Sequence, residues 1–210
     1  MSHASHLPAG AHGHGSEEFD EHHWTSLGLD HMKLMFWVFL GSDCFLFGTL
    51  IGTYMSYRGQ SLVGPYPLDV FSVVVTSIST FILLMSSLTM VLAVSAATKS
   101  DDRSTVLWLT VTGLLGATFV GGQVYEFTAF YNEGLGFSTS LFASSFYVLT
   151  GFHGVHVTVG IIMLFALVAM IRRNRIPGSK SETVEMIGLY WHFVDVVWIV
   201  IFTLIYLIPV

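Results

Sequence analysis

The chain is short of charge. Only 10% of its 210 residues are Asp, Glu, Lys or Arg, against about a quarter in an ordinary soluble domain. That deficit excludes a water-facing surface over most of the length. Basic residues number eight and the net charge is −6, so no basic patch exists to meet nucleic-acid phosphates. The single cysteine, Cys44, lies in an apolar run and has no partner for an internal disulfide, which leaves the redox compartment open. No CxxC, CxxCH, HExxH, nucleophile elbow or glycine-rich phosphate loop occurs. The chain therefore shows no self-sufficient catalytic constellation. Neither a fixed-period repeat nor period-two alternation over barrel-length segments is present, and the latter argues against transmembrane strands.

What is present is apolar. Hydrophobic residues make up 53% of the chain. They gather in five stretches, at 32–57, 69–97, 104–130, 139–171 and 183–208. Crossing a hydrocarbon layer of ~30 Å takes roughly 20 helical residues, and each stretch is long enough. The fourth is long enough to tilt or protrude. Between them lie helix-breaking or charged connections, such as Gly59, Gly64, Pro65 and Pro67, or Pro177 and Gly178. The sequence thus predicts an all-α, polytopic membrane helix bundle with five transmembrane helices.

Orientation follows from the basic residues. Lys33, Lys99, Arg103, Arg172, Arg173, Arg175 and Lys180 fall on the side of the N-terminus, and only Arg58 falls opposite. Cytoplasmic loops collect Lys and Arg, so the N-terminus is expected in the cytoplasm and Val210 outside. Adding or removing one span would scatter the charges over both sides.

Residues 1–31 are of a different character. They hold no Lys or Arg, bunched acids at Glu17, Glu18, Asp20 and Glu21, and histidines at 3, 6, 12, 14, 22, 23 and 31. No basic region followed by an apolar core marks a signal peptide. A flexible, His-rich, acidic cytoplasmic tail is expected. Its irregular spacing fits adventitious metal affinity, or a surface buffer of imidazoles that collects protons, better than a dedicated metal site.

Ionisable residues also occur inside the spans: Asp43 in the first, Glu126 near the outer end of the third, His153 and His156 in the fourth, His192 and Asp195 in the fifth. An Asp at mid-span costs about 2.5–3.5 kcal/mol on insertion scales, so such groups face protein or water. Asp43, His153, His156, His192 and Asp195 sit at middle depths, which suggests one polar layer shared by spans one, four and five. A structural hydrogen-bond network, a proton relay, and ligation of haem or another metal all use such residues. Asp43 sharing a proton with an imidazole would avoid an isolated buried charge. No metal ligand set is assigned. Small residues mark expected close helix packing: Gly48 and Gly52 with Gly41 in span one, and Gly113, Ala117 and Gly121 in span three. Ser72, Thr76, Ser79 and Ser86 form a stripe in span two.

Four runs carry a family resemblance. Gly188 to Trp198, GLYWHFVDVVW, resembles the last helix of subunit III of haem-copper respiratory oxidases. Leu149 to Gly160, LTGFHGVHVTVG, is similar to that family's penultimate helix. Lys33 to Asp43 with Phe47 and Gly48 resembles its carboxylate helix, and Gln123 to Phe127 a further one. The resemblance implies an accessory subunit with no redox centre. It would pack on the catalytic subunit I, which holds haem and copper, in a complex with subunit II. There it would support stability and proton uptake and hold membrane lipids. It implies a short, five-helix form of a family that often has seven helices, so the lipid cleft lacks one wall. The family's usual Glu in the carboxylate helix is here Asp43, one methylene shorter, as also occurs in the quinol-oxidase branch. A cytochrome c oxidase is the expected complex and a quinol oxidase the alternative. A five-span cytochrome b, holding haem through His153 and His192, is the alternative from another class.

Overall fold

The computed structural model of the chain describes residues 31–58, 73–134, 136–138, 140–173 and 181–208. The expected His-rich tail, the segment 59–72 and the basic residues Arg175 and Lys180 lie outside the described residues. The described chain is built of five helices: α1 (His31–Tyr57), α2 (Val73–Thr98), α3 (Asp102–Asn132), α4 (Leu141–Arg172) and α5 (Ser181–Phe202). All five are long and apolar enough to cross a membrane.

The helix ends follow local chemistry. The α2–α3 turn is tight, and Ser100 takes a left-handed conformation with φ 56°. Asp101 N–H reaches back to Ala96 O at 3.1 Å there, closing the turn as in a Schellman-type end. Asp101 then caps α3, accepting from Ser104 N at 3.2 Å and Ser104 Oγ at 2.6 Å. These bonds from Ser104 hold the Asp101 carboxyl below its ordinary value. Helix α3 stops at Gly134, whose φ of +88° suits only glycine without strain. Ser140 caps α4, accepting from Ala143 N at 3.0 Å.

Helices α2, α3, α4 and α5 form a ring in which each packs on its neighbours. Trp191 on α5 points into its centre. A Cβ at Gly116 of α3 would lie 2.5 Å from Trp191 Cη2, and one at Gly160 of α4 would lie 2.9 Å from Trp191 Cζ3. Only glycine lets these backbones approach the indole. Helix α1 stands outside the ring against α4 and α5. It buries 17% of its most apolar window, against 44% for α5.

The fifth span departs from a plain helix. Its last turn, Thr203–Leu207, widens to π geometry, with Ile208 N–H bonding Thr203 O at 3.2 Å. Arg58, just beyond α1, donates from Nη1 to Leu204 O at 2.8 Å and from Nη2 to Ile208 O. Carbonyls that a helix C-terminus leaves unmet are thereby met by a cation, which also suits the helix dipole.

Candidate functional site

The intramembrane ionisable residues do not form one layer. They separate into three clusters, and His153 stands apart from all of them.

The first cluster joins α1, α4 and α5. Asp43 Oδ2 faces His156 Nε2 at 3.9 Å, an ion-pair distance beyond hydrogen-bond reach. The His156 Nδ1 site is taken by Phe152 O at 2.7 Å, so that nitrogen carries the proton. Tyr190 of α5 donates its hydroxyl to His156 O at 3.0 Å. Phe47 closes the site with its ring edge-on to His156, centroids 5.0 Å apart. Asp43 is buried and its Oδ2 has no hydrogen-bond partner. A further methylene, as in glutamate, would close much of the gap to His156.

The second cluster joins α2 and α5. Ser87 Oγ lies 2.6 Å from His192 Nδ1 and stands beside the Asp195 carboxyl. Asp195 is fully enclosed, and neither of its oxygens has a hydrogen bond of good geometry. The same seam carries two indole bonds. Trp191 Nε1 donates to Ser86 Oγ and Trp198 Nε1 to Thr80 Oγ1, both at 3.0 Å. A buried indole N–H needs an acceptor, and in the bilayer only protein supplies one.

The third cluster closes the end of the bundle where Arg58 lies. Thr76 donates to Glu126 Oε1, and Tyr206 hydrogen-bonds Thr76 while facing Glu126 and Tyr54. Tyr54 lies next to Arg58. Four segments of the chain therefore meet at one end: α1, α2, α3 and the C-terminal turn.

His153 is wholly buried, and neither ring nitrogen has a partner. Its imidazole stacks on Trp198 at 4.8 Å, with Phe119 at 5.9 Å and Phe47 at 6.3 Å around it. His192 lies six residues before Trp198 on α5, about 9 Å along the axis, and turns to Ser87 on α2. The two imidazoles are engaged on different helices and do not face one another as paired iron ligands would. Among the described residues no three His, Cys, Asp or Glu side chains converge.

The small-residue stripes divide as well. Gly113 packs on Phe165, with a Cβ reaching 3.0 Å from Cζ. Gly48, Gly52 and Gly121 have nothing within 4 Å of an added Cβ, and all three are exposed, as is Ala117. The glycines that seat Trp191 inside the bundle are Gly116 and Gly160. Their spacing to the indole is set by tertiary packing, which no local pattern reports. Arg58 carried a signal, since it is the lone basic residue expected on its side.

The chain matches the family model for cytochrome c oxidase subunit III over residues 17–209. It is 42% identical to the cytochrome c oxidase subunit 3 of Alkalihalophilus pseudofirmus, over 84% of this chain and 86% of that protein. It is 41% identical to the quinol oxidase subunit 3 of Bacillus subtilis, over 83% and 85% of the two chains. With the cytochrome bo(3) ubiquinol oxidase subunit 3 of Pseudomonas aeruginosa it shares 39% identity over 82% of each. A five-helix membrane bundle that carries these motifs and matches over nearly its whole length is identified: the chain belongs to the cytochrome c oxidase subunit III family, multi-pass membrane subunits of the oxygen-reducing haem-copper oxidases.

Proposed function

We propose that the chain is a non-redox accessory subunit that packs on catalytic subunit I, in a complex with subunit II, and sustains its proton uptake and stability. The haem and copper belong to subunit I, and none is held here. The observation that carries this reading is where the intramembrane imidazoles turn. His192 bonds Ser87 on α2, and His153 stacks on Trp198 of α5 among aromatic rings. The two do not face one another as a pair of haem ligands would. The seven-to-one division of basic residues supports a cytoplasmic N-terminus and an external C-terminus in a prokaryotic cell membrane. Membrane lipids line the open flank of α1.

Cytochrome c is the electron donor in this reading. A quinol donor is the second reading, favoured by Asp43 in place of Glu and by the relatives named quinol oxidase subunit 3. Oxygen consumption by the purified complex, with reduced cytochrome c or with a quinol as sole reductant, decides between them. Removing this subunit is expected to leave the initial rate nearly intact and to shorten sustained turnover, most at raised pH. An α band in the reduced spectrum of the isolated subunit would overturn the non-redox assignment.

A further inference from the structure

His192 makes one hydrogen bond, to Ser87 through Nδ1. Its residue is part-exposed, and Nε2 is not among the enclosed unpartnered atoms. Nε2 therefore reaches the surface of the bundle with no partner among the described residues. Its depth is the notable point. Glu182 begins the fifth span and Leu207 ends it. His192 lies about 15 Å from the first end and about 22 Å from the second, by the rise of a helix. The surrounding surface is apolar: Leu84 and Val91 flank Ser87 on α2, and Val196 and Ile199 follow His192 on α5, each 41–58% exposed.

A polar nitrogen facing hydrocarbon costs free energy whichever tautomer the ring adopts. If Nδ1 accepts from Ser87, Nε2 is an unmet donor, and if Nδ1 donates, Nε2 is an unmet acceptor. Lipid tails supply neither group. A neighbouring transmembrane helix does, and intramembrane polar residues habitually serve as such contacts. We propose that the outer face of the α2–α5 seam is a docking surface for a transmembrane helix of another oxidase subunit, which presents a hydrogen-bonding side chain to His192 Nε2 at mid-bilayer. The apolar flank supplies shape and the imidazole supplies register. The proposal rests on the reading that the chain works packed within an oxidase complex.

The test uses the intact complex in native membranes. A benzophenone amino acid placed at Val196 or Leu84, with His192 left in place, is expected to cross-link to another oxidase subunit on illumination. Adducts to lipid alone, at both positions, would overturn the docking surface. In parallel, His192→Leu is expected to shorten retention of the subunit under detergent challenge at least tenfold. His192→Gln, whose amide reaches the Nε2 position, restores most of it. Ser87→Ala removes only the bond within the chain and shortens retention less than His192→Leu. Retention of His192→Leu equal to wild type would also overturn the proposal. Cross-links to lipid alone in a complex where the chain still co-purifies with subunit I would remove the docking surface and leave the proposed function standing, whereas loss of co-purification with subunit I in the wild type would remove the proposed function. The two readings therefore fail separately.

Discussion

The α2–α5 seam and helix α1 are held in opposite ways. Along the seam, hydroxyls of α2 meet α5 at successive levels, Thr80 with Trp198, Ser86 with Trp191 and Ser87 with His192. From Thr80 to the Ser86–Ser87 level the chain advances along α2 while the partners step back from Trp198 to Trp191 and His192 on α5, so the bonds fix an antiparallel register. Around them the core is tight enough that Gly116 and Gly160 touch the indole. Helix α1 has little such packing. Three polar contacts pin it instead, one at each end and one midway: Lys33 with Glu182 at 3.6 Å, Asp43 with His156 at 3.9 Å, and Arg58 on the carbonyls of Leu204 and Ile208. In lipid no hydrophobic force draws helices together, so packing and polar contacts are the available glue. The seam uses both. Helix α1 adds to its polar pins only a narrow packed stripe of Leu40, Phe47 and Tyr54, which leaves most of its surface free for lipid or a neighbour.

The sharpest break of this comparison is a leucine at two glycines. Gly116→Leu drives a side chain into Trp191, and overpacking of this severity costs about 3 kcal/mol or more. Thermal release of the subunit from the purified complex should fall by many degrees, or the subunit should fail to assemble. Gly48→Leu meets nothing within 4 Å in the chain and is expected to change the bundle's own stability by roughly 0.5 kcal/mol or less. Equal losses at both positions would show that α1 is packed as tightly as the seam. A loss of retention at Gly48→Leu without loss of folding would place a neighbouring subunit on that face.

Arg58→Gln comes next. Hydrogen bonds from charged groups contribute about 1.5–3 kcal/mol each, and Arg58 makes two, to Leu204 O and Ile208 O. Its guanidinium is part-buried, so a net cost of about 2–3 kcal/mol is expected after solvent screening. The loss should localise. Amide exchange of Thr203–Ile208 is expected to rise at least tenfold while α2 and α3 stay protected. Arg58→Lys keeps the charge and loses the fork, and should fall between the two. Unchanged exchange in the C-terminal turn would remove Arg58 as the outer pin.

How much of this was legible follows from what each feature depends on. The five helices were readable because length and hydropathy are properties of a single segment, and Asp101 and Gly134 stand where the α3 cap and stop require them. The stripe of Thr76 and Ser86 was readable as polar spacing, and both bond across helices, Thr76 to Glu126 and Ser86 to Trp191. Their partners were not readable, since Thr76 reaches a residue 50 positions away and Ser86 one 105 positions away. Of the polar layer expected of Asp43, His153, His156, His192 and Asp195, Asp43 and His156 meet with Tyr190 where α1, α4 and α5 join, while His192 and Asp195 turn to Ser87 on α2, for a related reason. Depth can be counted along a helix, but which neighbour a side chain turns to depends on the ring's arrangement. His153 and His156, three residues apart, share the Phe47 ring but otherwise differ: Trp198 and Phe119 enclose one, and Asp43 faces the other.

A smaller effect tests the seam itself. Ser86→Ala leaves the Trp191 Nε1 donor without its partner while preserving the packing on Gly116 and Gly160. Hydrogen bonds between membrane helices average about 0.6 kcal/mol and reach about 1.7, and the enclosed site of Trp191 argues for the upper part of that range. Thr80→Ala should do the same to Trp198. The double variant is expected to be additive, because the two indoles lie two turns apart and share no acceptor. Coupling of more than about 0.5 kcal/mol in thermal release would mean that the register is set by the seam as a unit.

The smallest expected effect belongs to the inner pin of α1. Lys33 and Glu182 are 41% and 65% exposed at their side chains, so water and salt screen them, and such pairs contribute about 0–1 kcal/mol. Lys33→Gln should leave thermal release nearly unchanged, and raising salt to 1 M should lower wild-type release no further than that variant. The value of the measurement lies in the contrast with Arg58. Both residues sit at the ends of α1 and both are cations, but one faces water and an exposed carboxylate while the other is turned onto the backbone carbonyls of Leu204 and Ile208. If their losses came out equal, burial would not be what distinguishes the two ends, and the attachment of α1 would have to be sought in its apolar contacts with α4.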